Sequence, residues 1–201
     1  MSQQAQPLIL ASGSPRRRAI LKQLGLHFEV SPAQVSEKRL QSETPTATVL
    51  RLARLKAEQV AACHARSKPA PFVLGADTLV VLGRTVLTKP QDDGDANRML
   101  ELLSGSTHEV VTGLALSRAG SGSIEQRALV SRVRFRELSP DCLRSYVASG
   151  EGRDKAGAYG IQGLGAGFVL ELHGSYTNVV GLPAAQTLEM LERHGVVAAW
   201  P

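Results

Sequence analysis

Three arginines, Arg16, Arg17 and Arg18, follow Ser14 and Pro15 in the stretch GSPRRRAILKQLG, and they sit where helix electrostatics disfavours them. Serine is a good N-cap, proline suits the first helical position and glycine suits a stop, so a helix is predicted between Pro15 and Gly25. The start of a helix is the positive end of its dipole and attracts anions rather than cations. A bound polyanion reconciles the two, because free backbone N–H groups and guanidinium forks both match phosphate oxygens. The alternative is a solvated charged turn, with Arg18 simply exposed on the helix body.

Other residue types on the chain fit the same chemistry. Asp77, in GADTLVV, follows an apolar strand after two small residues that permit a close approach. A carboxylate there can hold a divalent cation or orient water, or it can be a turn aspartate satisfying local N–H groups. Lys89 precedes Pro90 and is therefore biased to an extended backbone, a fixed point charge for phosphate or an ordinary surface lysine. Glu37 lies in a loop-like stretch and Lys56 on a helix. Both are expected to be solvent-exposed, with any ion pairing worth under about 1 kcal/mol. The segment EGRDKAGAYGIQGLGAG holds six glycines, which let backbone N–H groups approach a ligand, with Lys155 and Gln162 available for phosphate or base. It does not have the P-loop spacing. A lid or a tight turn is the other reading.

The elements that must position these residues follow from periodicity and turn signals. Strands are predicted over 8–12, 27–31, 72–74, 79–82, 85–88, 108–117, 124–135 and 168–172, with 108–135 forming a long hairpin. Helices are predicted after Ser14-Pro15, after Thr44-Pro45, from Asp92 or Asp93 to Ser104-Gly105, from Ser139-Pro140 to Gly150, and from Pro183 to His194. GSYTNVVG reads as a turn leading to a strand. This mixture argues for one α/β unit over residues 1–201 with a mixed sheet.

Bulk properties narrow the class. The 201 residues are 43% hydrophobic and 20% charged, as in an ordinary globular protein. Aromatics are only 4%, which implies a core of Leu, Val and Ala and argues against stacking on single-stranded nucleic acid. The net charge of +5 is carried by scattered arginines and favours a local anion site over a broad nucleic-acid surface. Two cysteines, Cys63 and Cys142, make no disulfide framework and are expected to be half-buried hydrophobes. The first residues have the wrong order for a signal peptide and no run is long enough to span a bilayer, so a cytoplasmic location without membrane contact is expected. The five histidines show no metal-ligand spacing, and His108 reads as a strand-edge hydrogen-bonding residue.

Taken in order, LASGSPRRRAIL, RLARLKA, GADTLVV, LTKP, LSGSTHEVVTG, DKAGAYGIQG and NVVGLP resemble the Maf-like nucleoside triphosphate pyrophosphatases from Leu8 to about His194. The resemblance implies an elongated central sheet flanked by helices, with two lobes around a cleft. It implies hydrolysis of a nucleoside triphosphate to the monophosphate and pyrophosphate, assisted by a divalent metal, Mg²⁺ or Mn²⁺. Asp77 falls on the acid/base position, with Glu37, Lys56 and Lys89 beside it. Ser12 and Arg16 fall on further substrate positions, and Glu37 and Asp77 would hold the metal. Arg17, Thr78 and Gln162 occupy the positions that separate subfamilies, and the combination resembles the branch acting on dTTP and UTP. Gln162 has a donor and an acceptor, which match a pyrimidine carbonyl and imide. The partner implied is the nucleotide itself, with no stable nucleic-acid complex; a homodimer is compatible with the resemblance. The competing reading is a nucleotide-sensing or nucleic-acid-binding regulator of cell division that does not turn its ligand over.

Overall fold

Side chains close the first turns of the helices. In the computed structural model, which describes residues 4–198 and Trp200, Ser14 caps α1 (Pro15–Gln23) and Thr44 caps α2 (Pro45–Cys63). Asp92 caps α3 (Asp93–Leu103) and Ser139 caps α4 (Pro140–Ala148). Each capping oxygen accepts from the backbone N–H three residues on, a bond worth about 1 kcal/mol. The short α5 (Tyr176–Val180) and α6 (Ala184–Arg193) complete the set among the described residues.

The strands are β1 (Leu8–Leu10), β2 (Glu29–Val30), β3 (Phe72–Leu82), β4 (Thr85–Leu87), β5 (Thr107–Arg118), β6 (Gly122–Phe135) and β7 (Val169–His173). Among the described residues they form one mixed seven-stranded sheet of order β2-β1-β3-β5-β6-β7, with β4 also on β3, flanked by helices. β1 runs parallel to β2 and to β3, pairing Leu8 with Phe72 and Leu10 with Leu74. β4 and β7 run antiparallel to β3 and β6. The mixed α/β class expected from the sequence is the one observed.

The chain divides into two compact units. The first comprises residues 1–77, 112–129 and 181–201. Part of its core is built of small residues: Ala11, Ala53, Ala57, Ala61 and Ala115 with Ile9, Val60 and Val73. Small side chains let backbones come close. An ideal Cβ on Gly75 of β3 would lie 2.2 Å from the Ala53 carbonyl oxygen and 2.9 Å from the Ala57 nitrogen. One on Gly113 of β5 would lie 2.4 Å from the Val49 carbonyl oxygen. Only glycine lets α2 rest directly on the sheet at these two places.

The second unit comprises residues 78–111 and 130–180. Its core uses Leu and Met from α3 together with Phe135, Tyr146, Tyr159 and Phe168. These rings meet edge to face, with centroids 4.7 Å apart for Tyr146 and Phe168 and 4.8 Å for Phe135 and Tyr159. Most aromatics of this sequence are concentrated here, while the buried core as a whole is mostly Leu, Val and Ala, as expected.

Four sequence expectations need correction. The strands predicted over 72–74 and 79–82 are one continuous β3, so Asp77 lies within a strand rather than after one. GSYTNVVG forms α5, not a turn and strand. There the Ser175 hydroxyl accepts from the Asn178 N–H at 3.2 Å, while the Asn178 amide donates to Val110 O and Ser131 Oγ. Those tertiary bonds override the strand preference of Val179 and Val180. His108 is buried within β5, hydrogen-bonded through Nε2 to the Tyr159 hydroxyl at 2.9 Å, and is not on a strand edge. Cys63 is exposed at the end of α2, while Cys142 is half-buried.

Candidate active site

Asp77 is buried, and its Oδ1 accepts from Lys56 Nζ at 2.7 Å. The same ammonium lies 2.6 Å from Glu37 Oε1. Lys56 therefore bridges two carboxylates, one buried and one exposed. The expectation of an exposed lysine is wrong for a reason visible in the packing. Ala53 and Ala57, which flank Lys56 on α2, close on Gly75 of β3 two residues before Asp77, so the Lys56 ammonium reaches the buried carboxylate. Glu37, as expected, is exposed. Burial pushes the Asp77 carboxyl above its ordinary range, and the neighbouring Lys56 and Arg17 charges pull against that rise.

Arg17 points inward from the first turn of α1. Its Nε donates to Gly181 O at 2.8 Å, and its Nη1 donates to Ala76 O at 2.7 Å and Ser12 Oγ at 3.1 Å. Burial lowers its pKa, opposed by the pull of Asp77. One guanidinium thus ties Ser12 in the turn after β1, the residue before Asp77 and the residue before Leu182 into one geometry. Ser12 also accepts from the Ser14 N–H at 3.3 Å, so this hydroxyl helps shape the turn into α1. Arg16 is half-buried and Arg18 exposed. The three adjacent cations have three different environments, a distinction that their run in the sequence hides.

The remaining candidates lie in the second unit. Thr78 follows Asp77 directly in β3 and is half-buried. Lys89 is exposed just after β4, and the preceding residue, Thr88, accepts through its carbonyl from the Gly157 N–H at 3.1 Å. Gln162 is exposed within the glycine-rich segment. Lys155 donates to the Glu151 carbonyl and to Asp154 Oδ1.

The glycine-rich segment is not an open phosphate cradle at the positions its hydrogen bonds define. The Gly160 N–H goes to the Tyr146 hydroxyl at 3.0 Å. The Leu164 and Gly165 N–H groups go to the two oxygens of Glu151 at 2.7 and 3.1 Å. The chain's own carboxylate fills the anion site. Sequence reasoning missed Glu151 and Tyr146. The signal was present: an acidic residue opens a run rich in N–H donors with no Cβ in the way.

The donor set around Asp77 suits a hard cation. Two carboxylates already share one positive charge, and among the described residues no group of three or more His, Cys, Asp or Glu could hold a metal. One or two carboxylates, completed by phosphate oxygens and water, are the usual protein contribution to a Mg²⁺ site.

A carboxylate on β3 buried against a lysine, with an arginine from the first turn of α1 beside it, is the charged centre of this α/β protein. The chain belongs to the Maf-like protein family, whose model matches residues 7–194. A relative from Anaeromyxobacter dehalogenans (strain 2CP-C) is 49% identical over 195 residues, covering 96% of each chain. One from Salmonella typhimurium is 50% identical over 184 residues, covering 92% of this chain and 91% of its own. A third, from Geotalea uraniireducens, is 45% identical over 197 residues, covering 98% of this chain and 100% of its own. Each of these relatives is named a dTTP/UTP pyrophosphatase. No helix among the described residues is long and apolar enough to cross a membrane.

Proposed function

We propose that this chain hydrolyses dTTP and UTP to the monophosphate and pyrophosphate, with a divalent metal, in the cytoplasm. The names of its relatives support the reaction and the substrates. The observation that carries the chemistry is the pair of carboxylates, Asp77 and Glu37, joined through Lys56 beside the Arg17 tie.

Asp77 is assigned the role of general base. A carboxylate raised by burial has a greater appetite for a proton, which is how enzymes adapt such groups to neutral pH. It orients a water and takes its proton as the water oxygen bonds to the α-phosphorus. The bridging P–O bond to the β-phosphate breaks, and pyrophosphate leaves with the bonding pair. Glu37 and Asp77 are the residues that would hold Mg²⁺ or Mn²⁺, whose contribution is to neutralise charge on the phosphate oxygens. Lys56 holds both carboxylates in place and keeps their combined charge low. The α1 N-terminus, Arg16 and Lys89 are assigned to the phosphates, where positive groups stabilise charge developing in the transition state. Arg17 acts by holding Ser12 and Ala76. Thr78 and Gln162 keep the specificity role that the resemblance implies, with Gln162 reading the pyrimidine edge through its amide.

The test is pyrophosphate release from a panel of nucleoside triphosphates with Mg²⁺ or Mn²⁺. Turnover of dTTP and UTP that is abolished by a chelator is expected. Absence of release from both nucleotides with either metal overturns the proposal. Salt-dependent binding to DNA or RNA without turnover would replace it with the regulatory reading.

A further inference from the structure

We infer that Glu151 is a positioning residue for base selection: its carboxylate, with the Tyr146 hydroxyl, clamps the backbone on both sides of Gln162 and so fixes how that amide is presented. The inference rests on the proposed pyrimidine triphosphatase activity for its substrate class, and on the hydrogen bonds of the second unit for its mechanism.

The clamp has two jaws. Before Gln162, the Gly160 N–H donates to the Tyr146 hydroxyl at 3.0 Å. After it, the Leu164 N–H donates to Glu151 Oε2 at 2.7 Å and the Gly165 N–H to Glu151 Oε1 at 3.1 Å. The jaws are joined, because the Tyr146 hydroxyl donates to the same Oε1 at 2.9 Å. An acceptor at Glu151 is what allows one hydroxyl to receive from Gly160 and still place its own proton.

The glycines answer to this arrangement. An ideal Cβ on Gly163 would lie 2.2 Å from Glu151 Oε2, and one on Gly165 would lie 2.6 Å from Gly160 O. They are needed because the carboxylate and the folded-back chain occupy the space of a side chain. The base of the clamp is rigid: the Tyr146 ring packs on Phe168, and Lys155 donates to the Glu151 carbonyl. Burial pushes the Glu151 carboxyl up, but the Gly165, Leu164 and Tyr146 donors outweigh it and hold the group below its ordinary range. Gln162 itself is exposed between the jaws. A hydrogen-bonding side chain discriminates between bases only when its orientation is held, since a free amide rotates to accept whichever edge arrives.

The experiment compares the full-length protein with Glu151→Gln and Tyr146→Phe. Glutamine keeps the size but offers one acceptor oxygen where the carboxylate offers two. Phenylalanine keeps the ring and removes the link between the jaws. Both variants should lose roughly tenfold in the ratio of kcat/KM for dTTP over dCTP, chiefly through a higher KM for dTTP. Amide hydrogen exchange at 160–165 should accelerate in both. An unchanged dTTP:dCTP ratio in either folded variant overturns the inference, as does lost discrimination with exchange at 160–165 unchanged. Should Glu151→Gln fail to fold, Tyr146→Phe decides alone. Should the wild-type protein release no pyrophosphate, the proposed activity fails, and the ratio of equilibrium affinities for dTTP and dCTP decides this inference by the same criteria.

Discussion

Two carboxylates, one in each unit, are held in opposite ways. At Asp77 a buried carboxylate is paired with a buried ammonium, while the neighbouring Arg17 donates to carbonyl oxygens. Around Glu151, a carboxylate is paired with the backbone, held by two N–H groups and one phenol. The first arrangement leaves a strained balance, because each ion is costly to bury without its partner. That balance suits the proton transfer proposed for Asp77. The second leaves the carboxylate settled in its ionised form, which suits a group whose task is to stay still. The packing matches: small alanines and glycines let α2 close on the sheet beside Asp77, while aromatic rings packed edge to face fill the core of the unit that carries Glu151.

This contrast can be broken most forcefully at Asp77. Asp77→Asn retains the shape and removes the proposed base. Pyrophosphate release from dTTP should fall by about 10²- to 10⁴-fold while circular dichroism stays unchanged. Retention of more than a tenth of the activity removes Asp77 from its assigned role.

Next comes its partner. Lys56→Met keeps the stem but leaves a buried carboxylate unpaired, which should cost about 3 kcal/mol of stability in urea unfolding. A loss under about 1 kcal/mol would mean that the pair behaves as a surface ion pair and that the contrast with Glu151 is overstated.

A comparable effect is expected from pH in the aromatic unit. His108 faces the Tyr159 hydroxyl and the Phe135 ring, and burial pushes its pKa down from 6.5 to about 4. Below pH 6.5 the unfolded chain takes up a proton that the folded chain refuses. Stability should therefore fall between pH 6.5 and 4 and then level off as far as this group is concerned, by about 3 kcal/mol in total. In His108→Gln this part of the pH dependence should disappear. A wild-type protein as stable at pH 4.5 as at pH 7 would contradict the buried neutral imidazole.

The smallest effect sharpens the comparison on α2 itself. Arg54, two residues before Lys56, pairs with Glu58 at 2.9 Å with both side chains partly exposed. Arg54→Ala should cost only about 0.3–0.5 kcal/mol. Equal losses at residues 54 and 56 would show that burial is not what separates them.

Much of this organisation is legible in the residues. Ser14-Pro15, Thr44-Pro45 and Ser139-Pro140 each announce a helix, and each does start one, because a cap is a bond between a side chain and an N–H three residues away. The ordered motifs from LASGSPRRRAIL to NVVGLP carry the family resemblance, and the Maf-like model matches over 7–194. Less legible was the path of β3 through Gly75–Thr78, where glycine and aspartate suggest a break but neighbouring strands hold the chain extended. The short α5 was hidden by its valines, since the bonds that stabilise it reach back to Val110 and Ser131.

The sequence alone determined where the four capped helices α1 to α4 begin, and that cations, carboxylates and glycines recur in an order resembling the Maf-like family. Only the tertiary structure decided which of those groups are partners. Lys56 meets Asp77 across 21 positions of chain, Arg17 meets Gly181 across 164, and Glu151 fills a cradle 13 and 14 residues further on. Local spacing sets hydrogen bonds within a turn of helix or a pair of strands. Burial and pairing of charge depend on which distant segments share the same low-dielectric space, and that follows from packing.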